Sequence, residues 1–230
     1  DDYTAIVPSP FDSDNLGLFV ADNISTRYKD RENTYIDIVE YIEKTVRAKK
    51  GNYFVFFPSY KYMEIVYEEF NERNPDIKTI LQNNSMKEEE REVFLDEFNK
   101  NGETMVAFAV LGGIFSEGID LIGDKLIGAI IVGVGLPQIC LERNIIREYF
   151  NEKNNLGYEY AYMYPGMNKV LQAAGRVIRT EEDKGIILLI DDRFTTYNYK
   201  KLFPKEWLNY KKVNNLKSLK RQLERFWKAE

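Results

Sequence analysis

The sequence predicts an α/β fold in which a mainly parallel sheet carries helices on both faces. Its apolar runs are short and unbroken, as expected of strands that are buried on both faces. Segments with helical spacing of apolar residues lie between these runs, and such alternation favours parallel strands joined by helices. The predicted strands are residues 53–57, 79–81, 105–111, 129–134 and 185–190.

The helices are predicted from apolar residues that recur at i, i+3, i+4 and i+7. Tyr35, Ile38 and Ile42 follow this spacing in the first of them. The sequence from Ser85 to Glu88 has the form of a capping box, so we expect the third helix to begin there. Two further runs, 4–7 and 16–20, are candidate edge strands. The predicted helices are 35–49, 61–73, 85–99, 142–153, 169–178 and 214–228.

The composition of the chain limits the kinds of functional site that it can form. The chain has 230 residues, a formal net charge of −5, no histidine and one cysteine. A disulfide framework and a histidine-based catalytic triad are therefore excluded, and almost no ligands remain for a zinc site. No apolar run approaches the roughly 18 residues of a membrane span, and no signal peptide opens the chain, so we expect a soluble, cytoplasmic domain without a membrane partner. The first residue is not Met, which suggests part of a longer protein.

The strongest motif is the run 172–179, QAAGRVIR. On a helix, Gln172, Arg176 and Arg179 would project from one face, and Gly175 would let a ligand approach it closely. Two guanidinium groups and an amide suit a polyphosphate, because arginine stays charged and matches phosphate oxygens. The alternative is a surface helix whose arginines pair with carboxylates.

This run resembles motif VI of superfamily 2 helicases, in the form of the Rad3/XPD-like and DinG-like branch. Related DEAD-box proteins begin the motif with histidine, which this chain lacks. The resemblance implies that Arg176 and Arg179 act as arginine fingers toward the γ-phosphate of ATP. It also implies that Gln172 positions nucleotide and water, with Gly175 beside the nucleotide.

A glycine-rich segment, 112–120, follows the strand predicted at 105–111, where α/β sheets commonly bind ligands. A tight turn is an equally good interpretation of this segment alone. Its SEGID sequence resembles motif V of the same helicases, a loop that touches both nucleic acid and nucleotide. The resemblance assigns nucleic-acid contact to Ser116 and nucleotide contact to three further residues. These are Glu117, Gly118 and Asp120.

The third motif, FFPSY at 56–60, ends a predicted strand and begins a helix. Ser59 is placed to cap that helix, whose first amides could also receive a phosphate. Tyr60 offers a ring for stacking on single-stranded nucleic acid. An ordinary capped junction is the alternative. The segment resembles motif IV of the Rad3-like helicases, and residues 9–11 resemble the start of their second motor domain.

Some helicase elements are absent from the sequence. It contains no P-loop, and the Walker B-like run 93–97 falls within a predicted helix. The resemblance therefore implies a second RecA-like domain over 1–230, with 1–30 leading in and 205–230 as a helical tail. ATP with Mg²⁺ would bind mainly to a first RecA-like domain of the same polypeptide. An iron–sulfur cluster would belong to that part and not to this chain, which alone would be inactive.

Three functions stay open. The first is a DNA repair helicase motor that moves 5′ to 3′ on single-stranded DNA, with the direction taken from resemblance alone. The second is a catalytically inactive nucleic-acid-binding scaffold, and the third an accessory nuclease. Asp191 and Asp192 are interpreted as a turn with Arg193 as ion-pair partner rather than as metal ligands. For the helix 214–228 we expect docking on its own domain, with partner or membrane binding as the alternative.

Overall fold

The computed structural model describes residues 12–100, 102–115, 121 and 123–228. Within them, seven parallel strands form one sheet in the order β3-β4-β2-β5-β6-β1-β7. The strands are β1 (Leu16–Ala21), β2 (Asn52–Phe57), β3 (Lys78–Leu81), β4 (Met105–Val110), β5 (Gly128–Val132), β6 (Gly185–Ile190) and β7 (Lys211–Lys212).

Helices cover both faces of the sheet, as predicted. They are α1 (Arg31–Val46), α2 (Tyr60–Arg73), α3 (Glu88–Asp96), α4 (Leu141–Asn154), α5 (Tyr164–Ala174), α6 (Tyr197–Lys200) and α7 (Leu216–Lys228). One core packs α1, α2 and α7 on the sheet, and the other packs α3 and α5. Every residue of β2, β4, β5 and β6 is buried, which explains why their runs are apolar throughout rather than alternating.

The predictions for β1 and for the start of α3 are wrong. The strand at the start of the described chain, β1, is not an edge strand, because it pairs with β6 on one side and with β7 on the other. The third helix begins at Glu88 rather than at the Ser85 capping box. There the Glu90 carboxylate accepts a hydrogen bond from the Lys87 amide at 2.7 Å, and three consecutive glutamates in the first turn favour a start at this point.

The Walker B-like run lies in α3 and the short 3₁₀ turn that follows it, as expected. The final helix, α7, docks on its own domain, because Leu219 and Leu223 are buried in the core that contains α1. Phe226 meets Phe19 of β1 edge to face, with ring centroids 6.5 Å apart. Across the described residues, the helices are too short or too polar to cross a bilayer.

Candidate nucleotide and nucleic-acid surfaces

Because all strands are parallel, the loops that follow them gather at one edge of the sheet. This carboxyl edge carries Ser59 and Tyr60. Ser59 occupies the N-cap position of α2, as predicted, but its side chain makes no capping hydrogen bond. The hydroxyl is therefore not engaged in capping and remains half-exposed at the helix start.

Tyr60 is fixed by a residue that sequence reasoning missed. Gln82, buried just after β3, donates to the Tyr60 hydroxyl at 2.9 Å and accepts from the Val110 amide at 2.9 Å. One amide side chain therefore ties the loop after β2 to the end of β4. The available signal was a polar residue directly after a strand, but nothing in the sequence indicated its partners.

The glycine-rich loop begins at the same edge. Gly112 has φ +73°, and a Cβ atom there would lie 2.8 Å from Cε of Lys169. Lys169, on α5, is a second residue that sequence reasoning missed. Burial, together with the positive charge of Arg143, lowers its pKa. A half-buried ammonium group beside an exposed glycine backbone is suited to an anionic ligand.

The adjacent aspartates after β6 have different environments. Asp191 is fully buried and forms an ion pair with Arg193, whose Nε lies 2.7 Å from Oδ1. The Thr26 hydroxyl also donates to Asp191. Burial opposes ionisation of Asp191, but these donors hold its pKa below the ordinary value. Asp192 is half-exposed and pairs with Arg27 at 2.6 Å. The predicted pairing of Arg193 is thus confirmed.

The predicted helical face of QAAGRVIR is wrong. Gln172 lies on α5, exposed, but the helix ends at Ala174. Its last i→i−4 bond runs from the Gly175 amide to Leu171 at 2.9 Å, after which the Arg176 amide turns to Ala173. Glycine disfavours continuation of the helix, and the chain must here reverse into β6. Both arginines are half-buried in the turn 175–184.

Asp183 organises this turn. Its carboxylate accepts from the backbone amides of Arg179 at 2.7 Å and Thr180 at 2.8 Å. It also accepts from Gly123 at 3.2 Å, which joins the turn to the segment that leads into β5. Burial opposes its ionisation, but these amides outweigh that effect and lower the pKa of Asp183. The turn 175–184, called the arginine turn below, is therefore anchored where the chain enters β5 and β6, at the amino edge of the sheet.

Replacing Asp183 with asparagine should lower the free energy of unfolding by about 1–3 kcal/mol at pH 7. The pKa of Asp183 in the folded state lies below its value in the unfolded chain, which is about 3.9, so its charge stabilises the fold above about pH 4. That stabilisation is lost as the pH falls through the folded-state value. Urea unfolding at neutral and acid pH measures this, with the exposed neighbour variant Glu182→Gln as control. An equal deficit of Asp183→Asn at both pH values would contradict the explanation.

The structure thus separates the sequence-predicted residues into two groups. Ser59 and Tyr60 lie at the carboxyl edge, whereas Arg176 and Arg179 lie in the turn before β6. Gly175, exposed, ends α5 between Gln172 and these arginines. The remaining predicted residues lie outside the described residues, as do the segments 4–7 and 9–11. They are Ser116, Glu117, Gly118 and Asp120.

No cluster of three or more acidic, cysteine or histidine side chains capable of holding a metal ion occurs among the residues that the structure describes.

Comparison with known proteins indicates the family of the chain. The model of a family described as the helicase C-terminal domain matches residues 42–210. A probable ATP-dependent helicase of Methanocaldococcus jannaschii is 28% identical over 84% of this chain and 31% of its own length. The 3′-5′ exonuclease DinG of Staphylococcus epidermidis is 27% identical over 94% of this chain and 24% of its own length. The chain thus spans less than a third of the length of these curated relatives.

A third relative is the general transcription and DNA repair factor IIH helicase subunit XPD of Dictyostelium discoideum. It is 29% identical over 66% of this chain and 21% of its own length. Among solved structures, an XPD helicase matches 86% of this chain and 35% of its own, with a TM-score of 0.71 and 24% identity. The C-terminal domain of the DEAD-box protein Dbp5 matches 93% of this chain and 99% of its own, with a TM-score of 0.53 and 11% identity.

These structural matches show that the fold is RecA-like, as the resemblance implied. The family match covers most of the sheet, from α1 to the turn before β7. The chain belongs to the helicase C-terminal domain family, in its DinG- and XPD-like branch.

Proposed function

We propose that this chain is the second motor domain of an ATP-dependent DNA helicase. The observation that carries the proposal is the arginine turn 175–184. It holds two half-buried guanidinium groups in one short segment, and its backbone is fixed by Asp183. Arginines held in this way can stabilise the charge that develops on a transferred phosphoryl group.

In this proposal, Arg176 and Arg179 act as arginine fingers toward ATP bound by a first RecA-like domain of the same polypeptide. Gln172, Gly175 and the segment 116–120 complete the nucleotide surface of this domain. Mg²⁺ would be held by the first domain together with the phosphates, as in other P-loop motors. This chain orients the bound nucleotide and supplies positive charge to it, and by itself it does not hydrolyse ATP.

Single-stranded DNA would cross the carboxyl edge. Ser59 and the first amides of α2 suit a backbone phosphate, and Tyr60 is held in place by Gln82 beside them. Lys169 adds a positive charge over the glycine-rich loop. Such local cations permit phosphate contacts in a chain whose net charge is −5. The 5′-to-3′ direction is carried over from the resemblance, and the cytoplasmic location is the expectation from the sequence.

The proposal assigns the chain to helicase action rather than to the exonuclease activity named for its DinG relatives. The family model that matches here is that of a helicase domain, and it covers residues 42–210. The DinG name describes a protein of which this chain covers only 24%.

The proposal is tested by measuring ATP hydrolysis with and without single-stranded DNA. The longer protein that joins this domain to its first motor domain should hydrolyse ATP, with stimulation by the strand. The 230-residue chain alone should show no turnover, because it contains no P-loop. Strand binding by the longer protein without any turnover would overturn the motor assignment and favour an inactive scaffold.

A further inference from the structure

We infer that a pocket between the N-terminal ends of α1 and α2 receives one base of a single-stranded nucleic acid. The inference rests on the proposed function and adds a contact to it, beyond the motif at 56–60. The pocket has a volume of about 240 Å³. Its lining includes Tyr28, Arg31, Tyr35, Ser59, Lys61 and Tyr62.

The topology of the sheet places the pocket at the carboxyl edge. Helix α1 follows β1, α2 follows β2, and the two helices pack against each other, so both begin at this edge. Neither N-cap residue, Asp30 or Ser59, makes a side-chain hydrogen bond to its helix. The Asp30 carboxylate instead accepts from the Ser25 hydroxyl at 2.6 Å. The positive ends of two helix dipoles therefore face the pocket region.

The walls of the pocket offer flat aromatic surfaces. Tyr62 is buried and Tyr35 half-buried, whereas the side chain of Tyr28 is 83% exposed at the rim. The Arg31 guanidinium lies 4.5 Å from the ring centroid of Tyr62 and 5.7 Å from that of Tyr28. Exposed tyrosine and arginine planes are the surfaces on which nucleic-acid bases stack, without preference for a particular base.

Hydrogen bonds on both sides hold the segment that carries the exposed Tyr28 ring. Arg27, its neighbour, contacts both carboxylate oxygens of Asp192 within 2.7 Å. Arg31 donates from Nε to the Thr26 carbonyl at 3.1 Å, and the Thr34 hydroxyl donates to Ser25 at 2.9 Å. A platform held at both ends loses little conformational freedom when a base stacks on it.

Charge and size favour a base that is attached to a phosphate backbone. Arg31 and Lys61 outnumber Glu32 among the charged lining residues, although the chain as a whole is acidic. Burial lowers the pKa of Arg31, yet an arginine stays charged at neutral pH. The volume lies below the roughly 300–1,000 Å³ of ordinary small-molecule pockets, which suits one flat ring system. A flanking phosphate would then meet Lys61 and Ser59.

Fluorescence anisotropy with two labelled strands tests the inference. One is a short oligothymidylate, and the other is an abasic strand with the same number of phosphates. Tyr28→Ala should weaken binding of the thymidylate strand by about 5- to 150-fold, the range for loss of one stacked base, and leave the abasic strand unaffected. Tyr28→Phe should bind like the wild type. Tyr149→Ala, which alters an exposed tyrosine on α4, is the matched control and should also leave binding unchanged.

The outcomes separate this inference from the proposed function. If the wild type binds both strands and Tyr28→Ala weakens both or neither, the pocket does not hold a base, although the backbone contacts stand. If the wild type binds neither strand, the proposed nucleic-acid surface itself fails. Displacement of the strand from the wild type by free thymidine monophosphate at equal nucleotide concentration would show a site for free nucleotide and overturn the inference. Thermal unfolding of each variant confirms that it is folded.

Discussion

Under the proposed function, replacing Arg179 with alanine in the longer protein that contains this domain should reduce strand-stimulated ATP turnover by about 10³- to 10⁵-fold, the usual cost of losing an arginine finger. The substitution leaves the anchor of the turn in place. The bond of 2.7 Å to Asp183 comes from the Arg179 backbone amide, which alanine retains. We therefore expect unchanged folding and retained ATP binding, with the loss confined to the chemical step.

Two variants sharpen the measurement. Arg179→Lys keeps the positive charge but cannot contact two phosphate oxygens in a plane, so it should recover only part of the lost rate. Arg221→Ala removes an exposed arginine of α7 and should hydrolyse ATP at the wild-type rate. Undiminished turnover in Arg179→Ala would remove this residue from the mechanism. Arg176 would then be the remaining candidate finger.

The second large effect is on stability. Asp191→Ala should lower the free energy of unfolding by about 3–5 kcal/mol, because it leaves the charge of Arg193 half-buried and unpaired. It also removes the acceptor for the Thr26 hydroxyl, 165 residues away in the chain. The contacts between the loop after β1 and the end of β6 would weaken together. Urea unfolding measures the change, and Asp191→Asn, which is isosteric, should show a smaller loss.

The adjacent residue provides a matched control. Asp192 pairs with Arg27, but both side chains are 39% exposed, so the solvent screens the pair. Asp192→Ala should therefore cost less than about 1 kcal/mol. Similar losses for the two variants would mean that burial does not set the strength of these ion pairs.

Much of the fold was predictable because local patterns specify it. Strands buried on both faces need unbroken apolar runs, and the five predicted ones all exist, within one or two residues at their ends. The alternation with helices then favours parallel pairing of the strands. The candidate motifs were recognisable for a related reason, since polar residues such as Ser59 directly follow the strands.

Helix ends were less predictable, because they depend on competition between nearby bonding partners. The apolar residues of 169–178 keep their helical spacing up to Ile178, yet the helix stops at Ala174. Asp183 offers the amides of Arg179 and Thr180 another acceptor, and its third bond comes from Gly123. Such a choice is not encoded in helical periodicity.

The sequence by itself determined the alternation of elements and the residue types of the candidate phosphate-binding motifs. Only the tertiary structure decided which loops meet. Gln82 reaches both Tyr60 and Val110 because β3, β4 and β2 are neighbours in the sheet. Tyr28 and Lys61 line one pocket because α1 and α2 begin at the same edge. These contacts join residues far apart in the chain, so they depend on strand order and helix packing, which local sequence patterns do not record.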